Sequence, residues 1–184
     1  MINEKIHKDR LNPHYKLNLN TNAKLRITPL GGLNEIGGNM MVVETENEAI
    51  IVDVGMSFPD GDMHGVDILI PDFTYLREIK DKIVAVIITH GHEDHIGAVL
   101  HIVKQFPKIK ILATAFSAGL IRKKLEFNHS PYPITEYRHY DQLGFKYFTI
   151  DPIHVNHSIP ETVGLLLKDH KEEFGLFFTS DFKI

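Results

Sequence analysis

Thr89-His90-Gly91-His92-Glu93-Asp94-His95 is the densest run of chemistry-bearing residues in the chain. Its imidazoles, His90, His92 and His95, and the carboxylate of Asp94 are donors that divalent cations take from proteins. His90 and His92, two apart in an extended loop, can face one ion, while Asp94 and His95 bend away toward a second. A lone histidine is most often a surface or satisfied core residue. Three this close together, interleaved with a carboxylate, are hard to explain by packing, and metal binding is the function the pattern points to.

The flanking segments set the position of this stretch. Ile83-Val84-Ala85-Val86-Ile87-Ile88 is short, apolar and rich in β-branched residues, the pattern of a buried strand. Ile96, Val99, Leu100, Val103 and Phe106 fall at helical spacing. The motif therefore belongs on a strand-to-helix loop at the carboxyl end of a strand, where open α/β sheets place their ligands.

Other donors lie further along the chain. Asp53 interrupts the apolar run Ile50–Gly55; a buried carboxylate needs a partner, and the N–H of a metal-binding histidine is a good one, with backbone capping at a strand end as the alternative. His157 sits in the polar, proline-bearing segment Val155–Glu161, a loop at a strand end suited to a third imidazole, with His154 as its competitor. Asp181 follows the apolar segment Phe177-Phe178 as Asp53 follows its own. The pairs Gly31-Gly32 and Gly37-Gly38 flank Glu35, but the spacing is not a dinucleotide fingerprint and a strand follows, so a strand-loop-strand turn is the reading. Asp60, Asp62, His64 and Asp67 read as a solvated acidic loop rather than a calcium site.

Around these residues the pattern predicts a hairpin of Met40–Thr45 with Ala49–Val54 and a helix over Phe73–Lys80 capped by Asp72. A strand at Ile109–Ala113 follows, then a helix capped by Thr114 or Ser117 whose Arg122-Lys123-Lys124 form a solvated face. Short strands are expected at Tyr137–Tyr140, Phe145–Ile150, Ile153–Val155, Val163–Leu167 and Leu176–Thr179. Residues 1–23, asparagine-rich and without an apolar period, read as a flexible lead-in in which His7 and His14 are solvated.

The chain has 184 residues, enough for one domain with a real core, and carries 20 basic against 24 acidic side chains for a net charge of −4. It lacks the overall basic footprint of a protein that grips nucleic acid by charge alone. There is no cysteine, so a metal has only His, Asp and Glu to bind. No apolar run approaches the roughly 20 residues that span a bilayer, and nothing resembles a signal peptide, which makes a cytoplasmic location the expectation.

The pattern Thr-His-x-His-x-Asp-His resembles the signature of the metallo-β-lactamase superfamily. Pro29–Met40, Gly55-Met56-Ser57-Phe58-Pro59 and Ile70–Leu76 are similar to the bacterial ribonuclease J family of the β-CASP branch, and the similarity runs from about Leu25 onward. The resemblance implies an α/β (α+β) fold, the amino-terminal portion of an αββα sandwich over residues 24–184, and a metal-dependent ribonuclease acting as a 5′–3′ exonuclease, an endonuclease or both. It implies that His90, His92 and His157, which matches the family's His-Ser-Ile-Pro motif, hold one ion. Asp94 and His95 would hold a second ion, and Asp181 would bridge the two. Asp94 and Asp181 would be the catalytic carboxylates, Asp53 the acceptor behind a ligand, and Glu35 and Asn39 would border the substrate. Zinc or manganese suits such donors. RNA is the implied substrate, a homo-oligomer or an RNA-decay complex the implied setting, and a chain holding only this half is expected to be inactive. Another hydrolase of the superfamily, a thioesterase or glyoxalase-like enzyme, and a non-catalytic metal-binding module are the alternatives.

Overall fold

The computed structural model describes residues 25–170 and 175–184; the expected lead-in at 1–23, with His7 and His14, lies outside them. Two sheets form the frame. The first is six-stranded in the order β1 (Arg26–Gly31), β2 (Met40–Glu44), β3 (Ala49–Val52), β4 (Ile83–Ile87), β5 (Ile111–Thr114) and β6 (Ile134–Tyr137). β1 to β3 pair antiparallel and β3 to β6 parallel, and helices α1 (Thr74–Glu78), α2 (Glu93–Ile96), α3 (Val99–Gln105) and α4 (Ala115–Phe127) fall within the parallel crossovers. The second sheet is four-stranded and antiparallel, in the order β10 (Gly175–Phe178), β9 (Val163–Asp169), β8 (Phe148–His154) and β7 (Leu143–Gly144).

The continuous apolar runs of β3 and β4 are explained by burial on both faces, since alternate residues of a strand point to opposite sides. Ile51, Val86 and Ile88 face the helices and meet Leu76, Ile96, Val99, Ile102, Ile121 and Leu125. Ile50, Val52, Ala85 and Ile87 face the second sheet and meet Ile150, Val163, Leu165 and Leu167. The described layers are thus helices, sheet and sheet. On the outer face of the second sheet Ile153 and Phe177 are 41% and 45% exposed. No helix among the described residues is long and apolar enough to cross a membrane.

Four expectations change. The helix predicted after the motif is divided into α2 and α3 around Gly97, because distant strand ends take its next bonds: Asn39 N donates to Asp94 O at 3.0 Å, Val54 N to His95 O at 2.8 Å, and Ala98 N donates to Val54 O at 3.0 Å. A side chain at Gly97 would lie 2.2 Å from Met56 Cγ, so glycine permits this approach. Asp72 receives Thr74 N at 2.8 Å, but the helix is the shorter Thr74–Glu78. The strands expected at Phe145–Ile150 and Ile153–Val155 are a single β8 that runs through Pro152, whose residue has no partner in the two-residue β7. The strand expected at Tyr137–Tyr140 lies earlier, as β6, so Arg138, His139 and Tyr140 follow it.

Candidate metal centre

The site is built where the two sheets meet at the carboxyl end of β4. Thr89 and His90 leave that strand fully buried, and the turn through Gly91 swings His92 back over them. His90 Nε2 lies 3.0 Å from His92 Nδ1, and His157 Nε2, delivered from the loop after β8, lies 3.2 Å from the same atom. Donors bound at about 2.0–2.1 Å to a tetrahedral ion stand about 3.3 Å apart, so these nitrogens already have ligand spacing. His90, His92, His157 and Asp181 place one ligand atom each within 4.8 Å of one another, as do Asp94, His95 and Asp181. One oxygen belongs to both groups: Asp181 Oδ2 is 3.7 Å from His157 Nε2 and 3.7 Å from His95 Nε2.

The hydrogen bonds behind the donors fix their lone pairs. Asp53, fully buried and held at a positive φ of 59°, accepts Thr89 N at 2.8 Å, Thr89 Oγ1 at 2.9 Å and His95 Nδ1 at 2.8 Å. Three donors offset the cost of burying that carboxylate. Because a carboxylate only accepts, His95 carries a proton on Nδ1, and as the neutral ring it presents a bare Nε2 to Asp94 and Asp181. Thr89 has given its hydroxyl proton to Asp53, so at 3.0 Å it accepts from His90 Nδ1, and His90 also presents a bare Nε2. Burial first, and then the neighbouring imidazoles of His95, His92 and His157, hold His90 down to a pKa of about 2. Burial likewise lowers His157. For His95 burial is outweighed by the charge and hydrogen bond of Asp53, with Asp94 and Asp181 adding to it, and its pKa is raised.

The remaining candidates are dispersed. His154 stays outside both groups, its ring 5.8 Å from that of His139, in a cleft of about 430 Å³ that Arg138 and Tyr140 also line. Glu35 is exposed and accepts Gly32 N at 3.0 Å within its own loop. Asn39 instead reaches the second group, with Nδ2 3.2 Å from Asp94 Oδ2. The basic run on α4 is not a solvated face throughout: Arg122 pairs with Glu136 at 2.6 Å and Lys124 with Glu93, which leaves Lys123 exposed. Two participants went unassigned in the sequence, the Thr89 hydroxyl and Ser180, whose Oγ lies 3.4 Å from His90 Nδ1. A hydroxyl at the end of a fully apolar strand was the signal for the first; the positive φ of 56° at Ser180 has no sequence signal.

The chain is 48% identical to Ribonuclease J of Helicobacter pylori (strain ATCC 700392 / 26695) over 99% of its own length and 26% of the relative's. It is 41% identical to Ribonuclease J 1 of Streptococcus pyogenes over 84% of the chain and 27% of that protein. The chain thus spans about a quarter of the length of the curated relatives it matches. Among solved structures, the metallo-beta-lactamase fold protein YhfI from Bacillus subtilis superposes with a TM-score of 0.57 at 16% identity, covering 85% of this chain and 63% of that one. Residues 33–162 match the metallo-beta-lactamase superfamily. With the two donor clusters, these matches support divalent metal binding, and the chain belongs to the metallo-beta-lactamase superfamily.

Proposed function

We propose that the chain forms the metal-binding part of a ribonuclease that hydrolyses RNA phosphodiester bonds in RNA processing and decay. The observation that carries this reading is the shared position of Asp181 Oδ2, 3.7 Å from a nitrogen of each donor cluster. The similarity to Ribonuclease J of Helicobacter pylori, at 48% identity, directs the chemistry toward RNA.

In this reading His90, His92, His157 and Asp181 hold one ion, and Asp94, His95 and Asp181 hold a second, zinc before manganese. When bound, the ion pair lowers the pKa of a water and stabilises the departing oxyanion of the phosphodiester. The chain supplies the positioning. Asp53 and Thr89 keep the ring nitrogens of His95 and His90 deprotonated on the side that faces the cations. Asp94, with its side chain 38% exposed, orients the attacking water and takes its proton. Asp181, 46% exposed, keeps the two clusters at a fixed separation. The substrate is cytoplasmic RNA, degraded from the 5′ end or cut internally, by an enzyme working as a homo-oligomer or within an RNA-decay complex.

The test is cleavage of a 5′-monophosphorylated RNA by the protein at the length of its relatives, wild type against Asp94→Ala, with bound metal measured in both. Loss of cleavage with the fold retained is the expected result. Wild-type turnover by Asp94→Ala with metal retained refutes the assignment.

A further inference from the structure

Asn39 stands in a different relation to the two donor clusters. Its side-chain nitrogen lies 3.1 Å from His95 Nε2, 3.2 Å from Asp94 Oδ2 and 3.2 Å from the Asp94 carbonyl oxygen. All three are acceptors, since His95 has its proton on the Nδ1 that donates to Asp53. An amide NH2 has two hydrogens to share among the three, and the amide oxygen has none to offer, so it is the nitrogen of Asn39 that turns toward Asp94 and His95. The backbone holds the residue in place: Asn39 N donates to Asp94 O at 3.0 Å, and Gly55 N donates to Asn39 O at 2.9 Å. Gly32 faces the other side of the amide, where a side chain would come within 2.5 Å of Asn39 Oδ1.

The lone pairs that receive the Asn39 amide are those that a cation would take from Asp94 and His95. The inward-facing nitrogens of His90, His92 and His157 meet one another and the Asp181 carboxylate, and no side-chain amide is bonded to them among the described residues. We infer that Asn39 is a positioning residue that holds the Asp94 carboxylate and the His95 ring in register and, by competing for their lone pairs, sets a lower cation affinity at the Asp94–His95–Asp181 cluster. The inference rests on the two-ion reading above. A neutral donor is the economical choice for such a role: it keeps two ligand atoms from repelling or turning away, yet yields to a cation that offers both of them more.

The experiment is a Zn²⁺ titration of the full chain, freed of metal by chelation, followed by calorimetry and by NMR of the Asn39 side-chain amide. Where the wild type takes up two ions, its Asn39 NH2 signals should shift at the second equivalent and not at the first; a shift confined to the first of two equivalents, or none at all across both, overturns the inference. Asn39→Asp replaces the donor by an anionic ligand aimed at the same ion, so it should tighten the second step tenfold or more and leave the first within twofold. An unchanged second step in a folded Asn39→Asp overturns the inference, and the wild-type NMR titration decides the matter if that variant does not fold. Should the wild type take up one ion only, the two-ion reading fails on its own. The inference then stands if a second step emerges in Asn39→Asp and falls if it does not.

Discussion

The two donor clusters share Asp181 but are supported in different ways. His90 and His92 come from the end of the first sheet and His157 from the end of the second, so the imidazole cluster spans the interface between the sheets. Asp94 and His95 sit on one turn of helix that is bonded by backbone to the ends of β2 and β3: Asn39 N to Asp94 O at 3.0 Å, Val54 N to His95 O at 2.8 Å and Met56 N to Glu93 O at 3.2 Å. The first cluster is assembled by tertiary packing and the second by main chain. A cation at the first should therefore tie the sheets together through several ligands, whereas in the second the first sheet sets Asp94 and His95 in place and only the shared Asp181 comes from the end of the second sheet.

Gly55→Ala tests the main-chain half of this contrast and should have the largest effect. Its Cβ would fall 1.7 Å from Asp94 O and 2.7 Å from Asn39 N, atoms that cannot turn aside. We expect a loss of stability above about 3 kcal/mol in chemical denaturation, beyond the usual range for overpacking. The double variant His90→Ala/His92→Ala comes next. It should fold, but lose tight metal uptake measured by elemental analysis after dialysis. It should also lose the rise in Tm that metal gives the wild type, about 2.7 kcal/mol of stabilisation at a hundredfold excess over Kd. Unchanged metal content would remove the imidazole cluster as a site.

Asp53→Ala acts on the other cluster. It strips the acceptor from three buried donors, Thr89 N, Thr89 Oγ1 and His95 Nδ1, with a net cost of about 1–3 kcal/mol as water enters the space the carboxylate leaves. Loss of the acceptor behind a ligating histidine weakens metal binding by about 10- to 100-fold, and calorimetry should find that loss in the second step. Thr89→Val is milder and tests whether the clusters are independent. The hydroxyl gives its proton to Asp53 and receives one from His90, so its removal should cost about 1–2 kcal/mol in thermal unfolding and weaken both steps. An effect confined to one step would mean that the link through Thr89 carries no energy.

The contrast also explains what could be read along the chain. The imidazole loop was legible because ligands and buried strand are contiguous, from Ile83 to His95. Asp53 stood out as a carboxylate in an apolar run, and its partners answer the desolvation problem the sequence posed. The division of the helix at Gly97 was not legible, because it depends on Asn39 and Val54 capturing carbonyls more than forty residues away in sequence. The contact of Asn39 with Asp94 spans 55 positions and leaves no local pattern. The pairing of Arg122 with Glu136 and of Lys124 with Glu93 was hidden for a similar reason: adjacent like charges look solvated until their long-range partners are known.

Gly91→Ala should have the smallest effect, and the comparison with Gly55 gives it meaning. Gly91 lies between the two histidines of the motif, where a functional glycine is readily assumed. Its φ lies outside the left-handed region, and a Cβ there would meet Leu120 Cδ1 at 2.7 Å, with Ile159 Cδ1 and Ser117 Oγ at 3.5 Å. These are side-chain atoms, and Leu120 is 36% exposed on α4, so it has solvent to turn into. The variant should lose less than about 1 kcal/mol in thermal unfolding, offset in part by the reduced freedom of its unfolded chain. It should also keep the metal content of the wild type. A large loss of stability or of metal at Gly91 would show that the imidazole cluster is as rigidly enclosed as the Asp94–His95 cluster, and that packing and main chain do not divide the site between them.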